Sequence, residues 1–423
     1  MKQKVFLFVF FSVFLNFFIF SQDSEKDFAQ IDGSAVITKI SIDGLKRTKE
    51  SFVQSMLEEF MHQNATEDTL TRAKTKLRLE GLFSEVNISY KPLESSEVSM
   101  EVSVKEKISF LPVPFAMYTT STGFMGGAVV MDMNAFGIKD MAMVGGFFAL
   151  NSATGMLAYT KNPRGWRPGF AVSLNIGKSP NEITDMDDRT VLEYDAFSVR
   201  ASASISEKIG KHNTVSFGVN FKYLDADKDS GYDAVQLDSM TSGGFSLGWK
   251  VLFVEMNDFY TSNTSINASA GFNFSNNSDF PVTKSFSMTA SLQKPLNPLP
   301  RLRLCAAVSG HYGIDNPISA YSGREAGNVS ILPGKFKTER IFGGQAGAEF
   351  AIVKAKFGLI SLYANYEAVI AQDFDDSYKF NQGISGGGKL YLSKIAIPAL
   401  AAGVSFNTTT NTVQFAAAFG MSF

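Results

Sequence analysis

The chain has 423 residues with 39 Lys+Arg against 41 Asp+Glu, and a net charge of −2 leaves no basic field to hold nucleic acid. One cysteine (Cys305) excludes an internal disulfide framework, and three scattered histidines (His62, His212, His311) do not make a zinc site. Hydrophobic residues are 45% at a mean hydropathy of only +0.01, too low for a bundle of membrane helices, so the 39 Phe and 35 Gly need another explanation.

Met1–Lys4 carries two lysines, Val5–Phe20 is an almost unbroken apolar run, and Ser21–Gln22 opens a polar stretch. This pattern predicts a secretory signal peptide over 1–22, somewhat short for a stable membrane span, and an exported chain. No cysteine lies at the boundary to carry a lipid.

Residues 35–105 predict a small α+β domain in the order β-α-α-β-β. Ala35–Ile42 alternates as a short strand and Asp43-Gly44 ends it. Thr48 is placed to cap a helix running to about Met61, with Phe52, Met56 and Leu57 on one face. Thr66-Glu67-Asp68 opens a second helix with the stripe Leu70, Ala73, Leu77 and Leu79, and Gly81 stops it. Glu85–Tyr90 and Val98–Val104 follow as strands, leaving Gly44 and Gly81 as the punctuation.

From residue 111 to 423 the period becomes two. Val215, Phe217, Val219, Phe221 and Tyr223 alternate with Ser216, Gly218, Asn220 and Lys222, and Ile360–Ile370 and Val413–Phe423 repeat the pattern. Each run is about 9–11 residues, the length of a tilted strand across a bilayer. A soluble sandwich would use shorter strands with more charge on the outer face. Here the polar face is Gly, Ser and Asn, which suits the inside of a barrel, the one sheet whose edges are all paired in lipid. The runs predict an all-β transmembrane barrel of about sixteen antiparallel strands. Two longer connections are expected, an acidic one over 178–192 and another over 310–340.

Catalytic patterns are decoys. Gly244–Gly248 and Gly383–Gly387 match a nucleophile elbow, and Gly383–Lys389 mimics a phosphate loop, but no helix is expected after either. No His has a Ser and an acid beside it in sequence, so no catalytic, cofactor or metal residue is assigned and the chain is read as a non-enzyme. An outer-membrane lipid hydrolase is the rival reading of that class.

Ile42-Asp43-Gly44-Leu45-Lys46-Arg47-Thr48 and Gly81-Leu82-Phe83-Ser84-Glu85-Val86 resemble a polypeptide-transport-associated (POTRA) domain. Joined to such a barrel, it resembles the BamA/TamA-like outer-membrane assembly-factor superfamily, with a bacterial surface antigen-type barrel. Asn134-Ala135-Phe136-Gly137 is similar to that family's turn after the second barrel strand. The family's lumen-loop motif is Val-Arg-Gly-aromatic. Here Leu332 takes the aliphatic place, Pro333 stands where Arg is expected, Gly334 matches, and the aromatic is Phe336, displaced by one past Lys335.

Alternation points Glu349, Glu367 and Lys389 inward, and Lys335 or Lys337 is expected to pair with Glu349 or Glu367 unless all are solvated in a wet lumen. Phe415, Phe419 and terminal Phe423 resemble the C-terminal β-signal for barrel insertion. The resemblance implies a bacterial outer-membrane location with the small domain in the periplasm. It also implies a seam between Pro114–Thr119 and Thr412–Phe423, with Pro114 offering no N–H. Such a chain would assist insertion or translocation of other proteins by β-augmentation at that seam and along Glu85–Tyr90. The implied partners are outer-membrane lipid, unfolded outer-membrane or secreted clients and periplasmic accessory proteins. The rival reading is a passive pore or structural surface barrel.

Overall fold

The computed structural model describes residues 35–93, 96–119, 123–149, 152–164, 167–231, 237, 239–257, 259–296, 298–392 and 400–419. The signal peptide over 1–22, Gly420 and Phe423 lie outside the described residues.

The N-terminal domain runs β1 (Val36–Asp43), α1 (Glu50–Leu57), α2 (Glu67–Leu79), β2 (Phe83–Pro92) and β3 (Glu97–Glu106). Its sheet order is β1-β3-β2, with β1 parallel and β2 antiparallel to β3, so β2 is an edge. Ile37, Val53, Leu57, Ala73, Leu77 and Met100 close the core with no exposure. The Thr66 side chain accepts the Thr69 amide and caps α2, as its sequence suggests. Gly81 (φ +74°) follows its end. Three expectations fail here. Leu79 lies off the buried face at 40% exposure. Thr48 does not cap α1, because Lys49 is the cap residue and the Thr48 hydroxyl accepts instead from Asn134 Nδ2 at 2.9 Å. α1 is also shorter than expected, passing into a 3₁₀ turn at Glu58–Phe60. Gly44 cannot be replaced: at φ +87°, an added Cβ would stand 2.0 Å from the Val104 carbonyl oxygen.

The remaining strands are β4 (Phe110–Thr119), β5 (Gly123–Ala135), β6 (Asp140–Ala149), β7 (Ser152–Lys161), β8 (Gly169–Thr184), β9 (Thr190–Ile209), β10 (Asn213–Gly231), β11 (Met240–Met256), β12 (Thr261–Ser275), β13 (Val282–Leu296) and β14 (Leu299–Ile314). After a long loop holding the short pair β15 (Ser322–Gly323) and β16 (Lys337–Thr338) come β17 (Arg340–Ala355), β18 (Gly358–Gln372), β19 (Tyr378–Leu392), β20 (Leu400–Asn407) and β21 (Thr412–Phe419). All but β15 and β16 form one antiparallel sheet of sixteen strands in sequence order, closed by β21 against β4. The sequence leads one to expect about sixteen strands, and sixteen are found.

The main departure is length. Most of 178–192 is not a loop, because β8 and β9 stay paired to Thr184↔Thr190 and turn only at Asp185–Arg189. The second long connection is likewise confined to 315–339.

The outer wall is apolar. Phe217, Leu247, Phe286, Val308, Phe342, Leu362 and Ile384 are each 45–60% exposed. An apolar surface this continuous is unstable against water and stable against acyl chains. No helix among the described residues is long and apolar enough to cross a membrane.

Candidate functional site: the lumen loop, its wall and the seam

The loop between β14 and β17 enters the barrel instead of standing off its rim. Val329, Ile331, Leu332 and Phe336 are 0–7% exposed and pack with Met186 of the β8–β9 turn and with Ile341, Val369 and Ala371 of the wall. Lys222 of β10 donates to the Ser319 carbonyl at 3.1 Å, so the loop reaches walls on both sides. Pro333 is buried, and Gly334 and Lys335 are partly so. Phe336 bridges Thr184 in parallel, and the Thr184 amide donates to the Lys335 carbonyl at 3.2 Å.

Glu367, on β18, organises the loop tip. At 1% exposure it accepts from the Ser330 amide at 2.6 Å, the Ser330 hydroxyl at 2.8 Å and the Ile331 amide at 3.3 Å. Arg324 steadies the same tip from within the loop, donating to the Ser330 and Leu332 carbonyls at 3.2 and 2.9 Å. From β20, Ser405 donates to the Ser330 carbonyl at 2.9 Å and Asn407 to the Ile331 carbonyl at 3.3 Å. Gly383 on β19 makes the space, since a Cβ there would come within 2.9 Å of the Ile331 side chain.

The expected pairing of Lys335 or Lys337 with Glu349 or Glu367 does not occur. Lys335 is bound to Glu182 on β8, and Lys337 lies 3.8 Å from Glu325 in the loop itself. The physical reason is that the loop presents its backbone amides, not its ammonium groups, to Glu367. Nor are these carboxylates solvated: Glu349 is fully buried.

Glu349, on β17, belongs to a separate network nearer the domain side. Arg303 Nη2 reaches it at 2.7 Å, Ser361 Oγ at 2.5 Å, Tyr391 Oη at 2.8 Å and Lys389 Nζ at 3.4 Å. Arg303 stands directly opposite Glu349 in the β14–β17 register, and its guanidinium lies 4.4 Å over the Tyr260 ring. Thus the loop lacks an arginine where Pro333 sits, and the wall supplies a buried one in Arg303. Sequence reasoning missed Arg303, although inward parity between exposed Leu304 and its neighbours marked it.

At the seam, the described pairs between β21 and β4 are Ala416↔Thr119 and Ala417↔Tyr118, whereas β4 and β5 are paired from Phe110↔Asp132 to Thr119↔Gly123. β4 begins earlier than the expected Pro114 and carries Pro112 as well as Pro114, two positions without an N–H. Phe415 is 39% exposed, and Phe419 sits opposite Leu400 in the register.

The domain meets the barrel at the Asn134–Gly137 turn. Lys49 donates to the Gly137 carbonyl at 2.8 Å, Arg47 pairs with Asp132 at 2.6 Å, and Lys139 pairs with Glu80 at 2.8 Å. Gly137 (φ +71°) has no room for a side chain, because a Cβ would lie 2.2 Å from the Arg47 carbonyl oxygen. Behind Arg47, Glu106 accepts from the amides of Lys46, Arg47 and Thr48. Burial alone would raise the Glu106 carboxyl, but the Thr48 hydroxyl and those amides outweigh it and hold its pKa below the ordinary value.

Register also creates pairs that sequence spacing hides. Ser287 and His311 face each other across β13 and β14 with Oγ and Nδ1 2.8 Å apart, but His311 has no carboxylate hydrogen bond among the described residues. The elbow-like Ser246 and Ser385 lie within strands followed by strands. Each of Asp185, Asp187 and Asp373 in the acidic group is ion-paired to Arg189 or Lys379.

A small α+β domain docked on a sixteen-stranded barrel, with one loop drawn into the lumen, defines the architectural class. No family profile matches the chain, and no curated protein matches its sequence. Solved structures do match. BamA from Haemophilus ducreyi lacking POTRA domains 1–3 superposes with TM-score 0.58 at 14% identity, over 92% of this chain and 85% of that one. CdiB from Acinetobacter baumannii gives 0.57 at 12% identity over 92% and 74%, and CdiB from Escherichia coli 0.56 at 10% over 94% and 92%. The chain therefore has the fold that BamA and CdiB share.

Proposed function

We propose that this protein is an outer-membrane barrel that inserts or translocates other proteins, with its POTRA-like domain in the periplasm. The fold shared with BamA and CdiB supports the general role, and the seam carries the mechanism. Two described register pairs hold β21 to β4, beside two prolines that cannot donate. A β4 edge with two positions that cannot donate can part sideways and offer its free N–H and C=O groups to an incoming strand. The lumen loop braces β18, β19 and β20, so β21 can swing while the wall behind it stays fixed. The β2 edge of the domain offers a second template for an extended client. No step in this mechanism calls for bond-making chemistry by the chain.

The test is a lock across a register pair. With Cys305→Ala to remove the native thiol, Thr119→Cys and Ala416→Cys place two thiols on opposed backbone positions suited to a disulfide. In reconstituted vesicles, insertion of an unfolded barrel client should stop under oxidation and return on reduction. Unchanged insertion by the oxidised form would remove the lateral-opening mechanism. If both forms conduct ions and neither inserts a client, the passive-pore reading takes its place.

A further inference from the structure

The outer wall carries a hollow where it passes over the loop-bearing strands. Small residues take adjoining outward positions there: Val308 opposes both Ala290 and Gly344, Gly344 opposes Ala368, and one step further Ala306 opposes Ala346. They floor a depression of about 670 Å³ walled by Ile266, Leu292, Phe342, Tyr366, Ile370 and Phe380. The depression continues toward the loop-side rim as a second hollow of about 420 Å³, which ends at Tyr312, Arg340 and Tyr378.

The chemistry of the two ends differs. The floor is apolar, while at the rim the Arg340 guanidinium lies 4.7 Å over the Tyr312 ring. Its Nε–H donates to the Gly313 carbonyl at 3.4 Å, its side chain also hydrogen-bonds Tyr378, and the Glu339 carboxylate is 3.8 Å away. A guanidinium has five N–H donors, so these neighbours leave it able to bind an anion. The register then places Lys284 on the same face one row nearer the rim, opposite Ile314 where Phe286 opposes Tyr312, and it is exposed. Tyrosines with cations above an apolar groove match the boundary between hydrocarbon and headgroups.

We propose that this groove binds one phosphate-bearing lipid of the leaflet on the loop side, its acyl chain over Ala290, Gly344 and Ala368 and its phosphate at Arg340 and Lys284. The inference rests on the barrel lying in a bilayer and is independent of client insertion. It also links lipid to the lumen: Arg340 follows the loop directly, and its amide donates to the Thr338 hydroxyl at 3.2 Å. A headgroup held by Arg340 would grip the loop at its root.

The test uses the full chain reconstituted in phosphatidylcholine vesicles with and without diphosphoryl lipid A, then extracted and weighed by native mass spectrometry. The wild type should retain lipid A about tenfold over phosphatidylcholine. Lys284→Gln with Arg340→Gln should bring retention to the phosphatidylcholine level. Ala368→Leu, which fills the floor and leaves both cations in place, should also lower it. Should the arginine change disturb folding, Lys284→Gln alone and Ala368→Leu decide the matter. Wild-type retention in both of those variants overturns the proposal, as does a lipid-free dimer that covers this face.

Discussion

Two turns of this chain are held by a carboxylate that gathers backbone amides, and they sit in opposite surroundings. At the domain joint, Glu106 accepts from Lys46, Arg47 and Thr48 at 2.8–3.1 Å and stays partly exposed. In the lumen, Glu367 accepts from Ser330 and Ile331 at 2.6–3.3 Å and is 1% exposed. The device is the same, but water can take over the donors at Glu106, whereas buried donors deprived of Glu367 face a low-dielectric interior. The domain joint is therefore expected to yield to water before the loop joint does.

The largest effect is expected beside the loop joint. Glu349→Ala would leave Arg303 facing its former partner's place while nearly buried, and breaking a buried pair this way costs about 3–5 kcal/mol. The folded, fast-migrating form of the barrel on a gel should convert to the unfolded form at lower temperature. Loop protection should persist, because among the described residues the partners of the Glu349 carboxylate are all on the wall. If the loop became protease-sensitive at temperatures where the barrel was still folded, the two networks would not be separate.

Glu367→Ala should do the reverse at a smaller cost, on the order of 3 kcal/mol for the stranded amides and hydroxyl. Trypsin should then cut at Arg324 or Lys335 in a barrel that remains folded, sites protected in the wild type. Equal resistance would mean that the apolar packing of Ile331, Leu332 and Phe336, and not Glu367, holds the loop.

Strand identity was legible because an apolar outer wall on one side and a polar lumen on the other impose an alternation. Strand length was not. Where β8 and β9 continue past the apolar band of the wall, both faces turn polar, so Lys178–Thr184 reads as a loop although it is paired throughout. Parity likewise marks Glu349, Glu367 and Lys389 as inward but says nothing about partners, which depend on register: Arg303 faces Glu349 only because β14 and β17 align there. The lumen-loop pairing misled for a deeper reason. Lysines 335 and 337 are visible as charges in a sequence, while the amides of Ser330 and Ile331, the groups that bind Glu367, are common to nearly every residue. By contrast the phrases around Gly44 and Asn134–Gly137, each similar to a family motif, prove to be two halves of one contact.

The smallest and most selective prediction concerns pH. The Glu106 carboxyl is held below its unfolded pKa, so its contribution is complete above that unfolded value and is lost as pH falls through the folded one. With an ordinary glutamate near about 4.3, the domain joint should loosen below roughly pH 4. Hydrogen exchange at the amides of Lys46, Arg47 and Thr48, corrected for the intrinsic pH dependence, should accelerate severalfold across that range. Glu106→Gln keeps the side-chain shape and one acceptor oxygen but cannot titrate, so the step should vanish and exchange should be faster at neutral pH. A step that survives the substitution would assign the acid response to a group other than Glu106. It would also end the contrast between the two joints as one of solvent exposure acting on a shared device.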